Sequence, residues 1–158
     1  MALTKNVNAY SSVVEADSYF ENRLDAAAWT DADATEKSKA LITATSLLET
    51  VSWTGEVVSE SQPLAFPRSG DYFDPRLGTT AKLTAEVPKR IIEAQYELAY
   101  HLLNNDGLLD FTGSVTALKI GTIDLSEIRN PPKIPSHVSR LIRPLLISGG
   151  SSSWWRAN

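Results

Sequence analysis

The chain has 158 residues, 42% of them hydrophobic and 22% charged, with a formal net charge of −4. That length suits one domain with a small core, and an acidic total argues against a protein that coats DNA with its whole surface. With no cysteine, disulfides and thiolate metal sites are excluded.

The charge is unevenly spread. Residues 1–128 hold ten bases against nineteen acids, about −9, while residues 129–158 hold five bases and no acid, about +5. Such an asymmetry suits head-to-tail contacts between copies, or contact of the basic end with phosphates. The start, Met1-Ala2-Leu3-Thr4-Lys5-Asn6, lacks the apolar run of a signal peptide, and no stretch reaches the length that spans a bilayer. A soluble protein made in the cytoplasm, without a membrane partner, is the expectation.

Taken in order, the elements begin with a short amphipathic helix over 12–24. Ser12 and Glu15 form a capping box, and Val13, Ala16, Tyr19, Phe20 and Leu24 share a face. A second helix is expected over 30–51, capped by Thr30, with Ala40, Leu41, Ala44, Leu47, Leu48 and Val51 buried. Residues 54–86 are the least regular part and are expected to be a long loop. Pro63 and Pro67 oppose a helix and a central strand, and Asp71–Gly78 reads as an exposed turn. Residues 87–105 carry the strongest helical pattern, with Pro88 in the first turn and Ile91, Ala94, Gln95, Leu98, Ala99 and Leu102 on the apolar face. The alternation over 114–128 predicts a hairpin turning at Gly121-Thr122. Pro131-Pro132-Lys133-Ile134-Pro135 is an extended connector. Ser136 then caps a last helix over about 137–147, which Pro144 should kink or shorten. The fold class is therefore mainly α: about four helices with a hairpin, a long central loop and an extended C-terminal arm. Residues 1–147 make the domain and 148–158 the arm.

Catalytic signatures are missing. The two histidines, His101 and His137, lie far apart in sequence with no motif around them. Glu15/Asp17, Asp31/Asp33 and Glu93/Glu97 read as solvated helix faces. Glu93 and Glu97, at i,i+4, offer a remote route to a divalent cation. No phosphate loop, dinucleotide fingerprint, zinc spacing or nucleophile elbow occurs. The expectation is a protein that is not an enzyme and holds no cofactor or metal.

Binding features are easier to find. The chain ends Gly149-Gly150-Ser151-Ser152-Ser153-Trp154-Trp155-Arg156-Ala157-Asn158. A Gly/Ser run cannot bury a core, whereas each tryptophan has a large apolar surface to bury. Trp154, Trp155 and Arg156 therefore read as a docking arm, for protein rather than for bases. Arg140 and Arg143 in the last helix are a solvated face on the plainer reading. Together with the tryptophans they also supply the cations and stacking surfaces used on single strands. In the proline loop, Phe66 and Arg68 are either tucked into the fold or anchors of a protein contact.

Several segments, in order, are similar to one family. They are Asn8-Ala9-Tyr10-Ser11-Ser12-Val13-Val14-Glu15-Ala16-Asp17-Ser18-Tyr19-Phe20, Ala28-Trp29-Thr30, Lys39-Ala40-Leu41-Ile42-Thr43-Ala44-Thr45 and Trp53-Thr54-Gly55. Gln62-Pro63-Leu64-Ala65-Phe66-Pro67-Arg68-Ser69-Gly70, Glu86-Val87-Pro88-Lys89-Arg90-Ile91 and Leu118-Lys119-Ile120-Gly121 continue the series. Across most of residues 8–146 the chain resembles small tailed-bacteriophage proteins that carry two labels. One is head-to-tail adaptor, also called head completion or connector protein. The other is a DnaT-like single-strand DNA-binding replication accessory.

The adaptor label implies a virion protein at the head–tail interface. Copies form a homo-oligomeric ring, a dodecamer, below the portal protein. The ring extends a channel through which DNA passes without sequence-specific binding, and it docks the tail or nozzle proteins. On that expectation the acidic body surrounds the channel, and the basic last helix with its tryptophan arm meets the portal. The 56–85 loop and the hairpin meet a neighbouring copy or the tail. The strand-binding label implies a basic working face and a steep salt dependence.

Overall fold

A computed structural model describes residues 2–105 and 134–147. Within them are five α-helices and one three-stranded antiparallel sheet, a mainly α fold with a small sheet. The hairpin expected at 114–128, residues 131–133 of the connector and the arm at 148–158 lie outside the described residues.

Helix α1, Val13–Phe20, starts at the expected capping box: Glu15 N donates to Ser12 Oγ at 3.3 Å, and Ser12 N to Glu15 Oε2 at 2.8 Å. It stops earlier than its apolar pattern predicts. Arg23 N bonds Phe20 O, and the Arg23 side chain turns toward Glu97, leaving Leu24 fully exposed rather than on the apolar face. A helical turn that the sequence reading missed follows, α2, Ala27–Thr30, which buries Trp29. Thr30 thus ends a short helix instead of capping a long one. Helix α3, Ala34–Leu48, is capped by Asp33, whose Oδ1 accepts from Thr35 N at 2.7 Å and Glu36 N at 2.8 Å. Glu36 reaches back to Asp33 N. This reciprocal box satisfies more of the free N–H groups than a lone threonine does, so the boundary falls there.

The expected long loop at 54–86 is a correction. It contains β1, Glu56–Val57, β2, Arg68–Asp74, and β3, Thr79–Thr84, in that spatial order. The prolines do not interrupt the ladder. Pro63 and Pro67 precede β2, and Pro75 sits in the turn between β2 and β3. Asp71–Phe73, expected in a turn, pair with Lys82–Thr80. The turn itself is Asp74–Gly78, closed by Gly78 N to Asp74 O at 2.9 Å, with Gly78 at φ +67°. Gly55 has a different constraint: a Cβ there would lie 2.3 Å from Ser69 O.

Helix α4, Lys89–Asn104, is the central rod. All six residues expected on its apolar face are buried, and Tyr96, Glu97 and Tyr100 are buried with them. Pro88 stands at the N-cap, one step before the helix rather than within its first turn. Helix α5, Ser136–Ile142, is preceded by Pro135 at its cap, so Ser136 belongs to the helix and does not cap it. As expected from Pro144, α5 is short and gives way to a 3-10 turn, Arg143–Leu145.

One core joins these elements. Phe20 stacks on Trp29 at 4.7 Å between centroids, and Tyr10, Trp53 and Phe66 form a second aromatic group. Between α3 and α4 the apolar packing surrounds one polar centre, Gln95, which is fully buried. Its Oε1 accepts from Ser11 Oγ at 2.8 Å, and its Nε2 donates to Thr45 Oγ1 at 2.8 Å and Leu41 O at 3.2 Å. A buried amide is tolerated because these bonds replace water, and they fix the N-terminal segment, α3 and α4 in one register.

Candidate nucleic-acid interface

The C-terminal turn is tied down against residues 52–54. Thr54 N donates to Leu145 O at 2.9 Å, and Ile147 N to Ser52 O at 3.2 Å. Arg68, at the start of β2, reinforces the same region by donating to four backbone carbonyls. They are Thr54 O at 2.8 Å, Gly55 O at 2.5 Å, Ala65 O at 3.3 Å and Trp53 O at 3.4 Å. These bonds make a firm floor beneath a groove of about 780 Å³ between β2 and the 3-10 turn.

Three arginines from two separate segments line this groove: Arg90 from the first turn of α4, Arg140 from the end of α5 and Arg143 from the 3-10 turn. Arg140 and Arg143 lie three residues apart in a continuous helical path, a spacing that places both side chains on one side. Both are exposed, and neither has an ion pair among the described residues. Aromatic surface comes from β2, where Tyr72 and Phe73 both line the groove and Phe73 is 58% exposed. Among the described residues Asp71 is the one acid in the lining.

Asp74 organises the side of the groove formed by β2. It is buried, its Oδ1 accepts from Arg76 N at 2.9 Å, and its Oδ2 accepts from Arg76 Nη2 at 2.9 Å. The Tyr72 hydroxyl donates to Oδ2 at 3.3 Å, and Arg90 Nη2 stands 3.8 Å from Oδ1. The hydrogen-bonded Arg76 side chain holds the Asp74 carboxyl down at about 2. Burial, then the neighbouring Asp74 charge, raise the Tyr72 phenol above its ordinary value. Near neutrality the carboxylate is therefore charged and the phenol protonated, the forms this hydrogen bond requires.

A cluster of cations beside an exposed aromatic ring is the arrangement that binds single-stranded nucleic acid, through phosphates and stacked bases. A family model described as "putative DnaT-like ssDNA binding protein" matches residues 2–157. The chain belongs to that family. No curated protein and no solved structure matches it.

The residues expected from sequence to act in this DnaT-like family member fall in three places. Arg140 and Arg143 come together in the groove with Arg90, Tyr72 and Phe73. Phe66 and Arg68 are engaged within the chain: Phe66 is buried against Tyr10 and Trp53, and Arg68 holds the four carbonyls. Trp154, Trp155 and Arg156 lie outside the described residues. Sequence reasoning missed Tyr72, Phe73 and Arg90. The available signal was an adjacent aromatic pair in a polar stretch bounded by Gly70 and Gly78.

The acidic and histidine residues also need correction. Glu97 is not on a solvated face: it is buried and accepts from Tyr19 Oη at 2.7 Å and Arg23 Nη1 at 2.6 Å. Burial, then the bond to Glu97, push the Tyr19 phenol far above its ordinary value. The two histidines, distant in sequence, face one another with ring centroids 6.3 Å apart, and His137 Nε2 lies 3.8 Å from Glu97. Glu93 pairs with Lys89 at 3.4 Å. Among the described residues no three His, Asp or Glu side chains are grouped to hold a metal ion.

Proposed function

We propose that the protein binds single-stranded DNA in the groove between β2 and the C-terminal 3-10 turn. The observation that carries this reading is the pair of exposed arginines, Arg140 and Arg143, without ion pairs among the described residues and lining one groove with Tyr72 and Phe73. Family membership supports it. Arg140, Arg143 and Arg90 contact phosphates, and the ring of Phe73 stacks on a base. Binding of this kind tolerates sequence, because every base has a π face. The acidic remainder of the surface keeps non-specific attraction weak.

The test is fluorescence anisotropy with a labelled oligothymidine and with a duplex of equal length, across a salt series. Three phosphate contacts predict log K falling with log salt at a slope of about −2, from ~0.7 per neutralised phosphate. The single strand should bind more tightly than the duplex. Equal binding of both, or no measurable binding at low salt, removes the proposal.

A second reading, a phage head-to-tail adaptor, is favoured by one specific observation: all nineteen acids precede Arg129. A body of that charge suits a channel that passes DNA without gripping it. On this reading copies assemble as a ring on a portal protein in the virion and offer a docking surface to the tail. Native mass spectrometry with the portal ring from the same source tests it. A single mass gain of many whole copies supports the adaptor, and no gain dismisses it.

A further inference from the structure

The groove has a neighbour on the far side of Tyr72. A second concavity, of about 560 Å³, opens between β3, the Asp74–Gly78 turn and the first turn of α4. Tyr72 and Arg90 line both grooves, so the two meet at that pair.

The second groove carries cations of a different kind. Lys82, on β3, is exposed and has no ion pair among the described residues. Lys89 is 86% exposed and holds Glu93 only through an i,i+4 contact at 3.4 Å. An exposed pair of that spacing is weak, so its lysine exchanges readily onto a phosphate. Of the acids in the lining, Asp74 is buried beneath Arg76 and Tyr72 and faces Arg90, and Glu93 is matched by Lys89. Glu86 is left as the one acid there without an ion pair among the described residues.

Resting on the reading of the first groove, we infer that the bound strand continues past Tyr72 and Arg90 into the second. Lys82 and Lys89 then contact further phosphates, and Tyr72, fixed by its hydrogen bond to Asp74, meets a base at the crossing. The substrate is a strand long enough to occupy both grooves, and the shared pair sets its path.

Oligothymidines of about four and about twelve nucleotides, within the range of site sizes known for strand-binding folds, separate this inference from the reading beneath it. The short strand reports the first groove and the long one both. The long strand should bind roughly tenfold more tightly, with a salt slope more negative by about 1.4, equal to two further phosphates at ~0.7 each. The double variant Lys82→Ala/Lys89→Ala should lose that gain while keeping the short-strand affinity within about twofold. Both lysines are exposed, so the variant should melt as the parent does. If the short strand binds but lengthening it changes neither affinity nor slope, or the double variant keeps the gain, the extended path is wrong. If the short strand does not bind at all, the first groove is wrong and the extension falls with it.

Discussion

The interior between α3 and α4 and the groove beside β2 treat their polar groups in opposite ways. In the interior, Gln95 is fully buried, and its side-chain oxygen and nitrogen both have protein partners. In the groove, Arg140 and Arg143 are exposed, with no protein anion to meet them among the described residues. A satisfied polar group holds a fold together, whereas a fixed cation left without a counter-charge is available to a partner. Arg68 sides with the interior: it begins the strand that carries Tyr72 and Phe73, but it serves the fold, through four carbonyls.

Substitutions should separate the two regions cleanly, and the largest effect belongs in the interior. Gln95→Ala leaves a void and strips partners from Ser11, Thr45 and Leu41, at an expected cost of about 3 kcal/mol. Urea unfolding would read this as a lower midpoint at unchanged slope. A midpoint near that of the parent would mean the network is dispensable. Arg68→Ala comes next, at about 2 kcal/mol, because four part-buried carbonyls lose a donor. Thermal melting reads it, and oligonucleotide binding at a temperature where the variant is folded should fall far less than for the groove variants.

In the groove the effects move from stability to binding. Phe73→Ala should weaken oligothymidine by about 1–3 kcal/mol, the usual worth of one stacked base. Its melting temperature should stay near that of the parent, since the ring is 58% exposed. A variant that binds normally would take Phe73 out of the site.

The smallest effect is on acid stability. The Lys5 side chain beside Glu15, and Arg76 beside Asp74, hold both carboxyls at about 2, below the ordinary carboxylate range of about 4. Groups depressed in this way contribute stability that is present above pH ~4 and lost as pH falls toward ~2. Melting temperature should therefore decline over that interval, and Glu15→Gln should flatten part of the decline. An unchanged profile in the variant would show that Glu15 contributes nothing there.

The helices were legible because their apolar residues recur at helical spacing. Every residue assigned to the buried face of α4 is buried, and Pro144 shortens the last helix as its missing donor requires. The sheet was not legible, for a physical reason. Burial alternates in both strands, but only over a few residues: Ala81 and Leu83 face inward in β3, and in β2 the inward positions are Tyr72 and the polar Asp74, so the apolar signal was too short and too polar to mark a strand. The three prolines nearby count against strands only when they fall inside one, and here they stand outside the strands. The site was legible in part. Arg140 and Arg143 stood out as cations in an apolar pattern, but Tyr72, Phe73 and Arg90 reach them only through the pairing of β2 with β3 and the packing of α4. Long-range closure of that kind leaves no local mark.

The most direct measurement is the salt dependence of oligothymidine binding for the parent chain and for Arg140→Ala/Arg143→Ala. Both positions are exposed, so the double variant should melt within ~0.5 kcal/mol of the parent. The slope of the double variant should lose about 1.4, two phosphates at ~0.7 each, and its affinity should drop about tenfold or more at low salt. An unchanged slope and affinity in a folded double variant would contradict the assignment of this groove to single-stranded DNA.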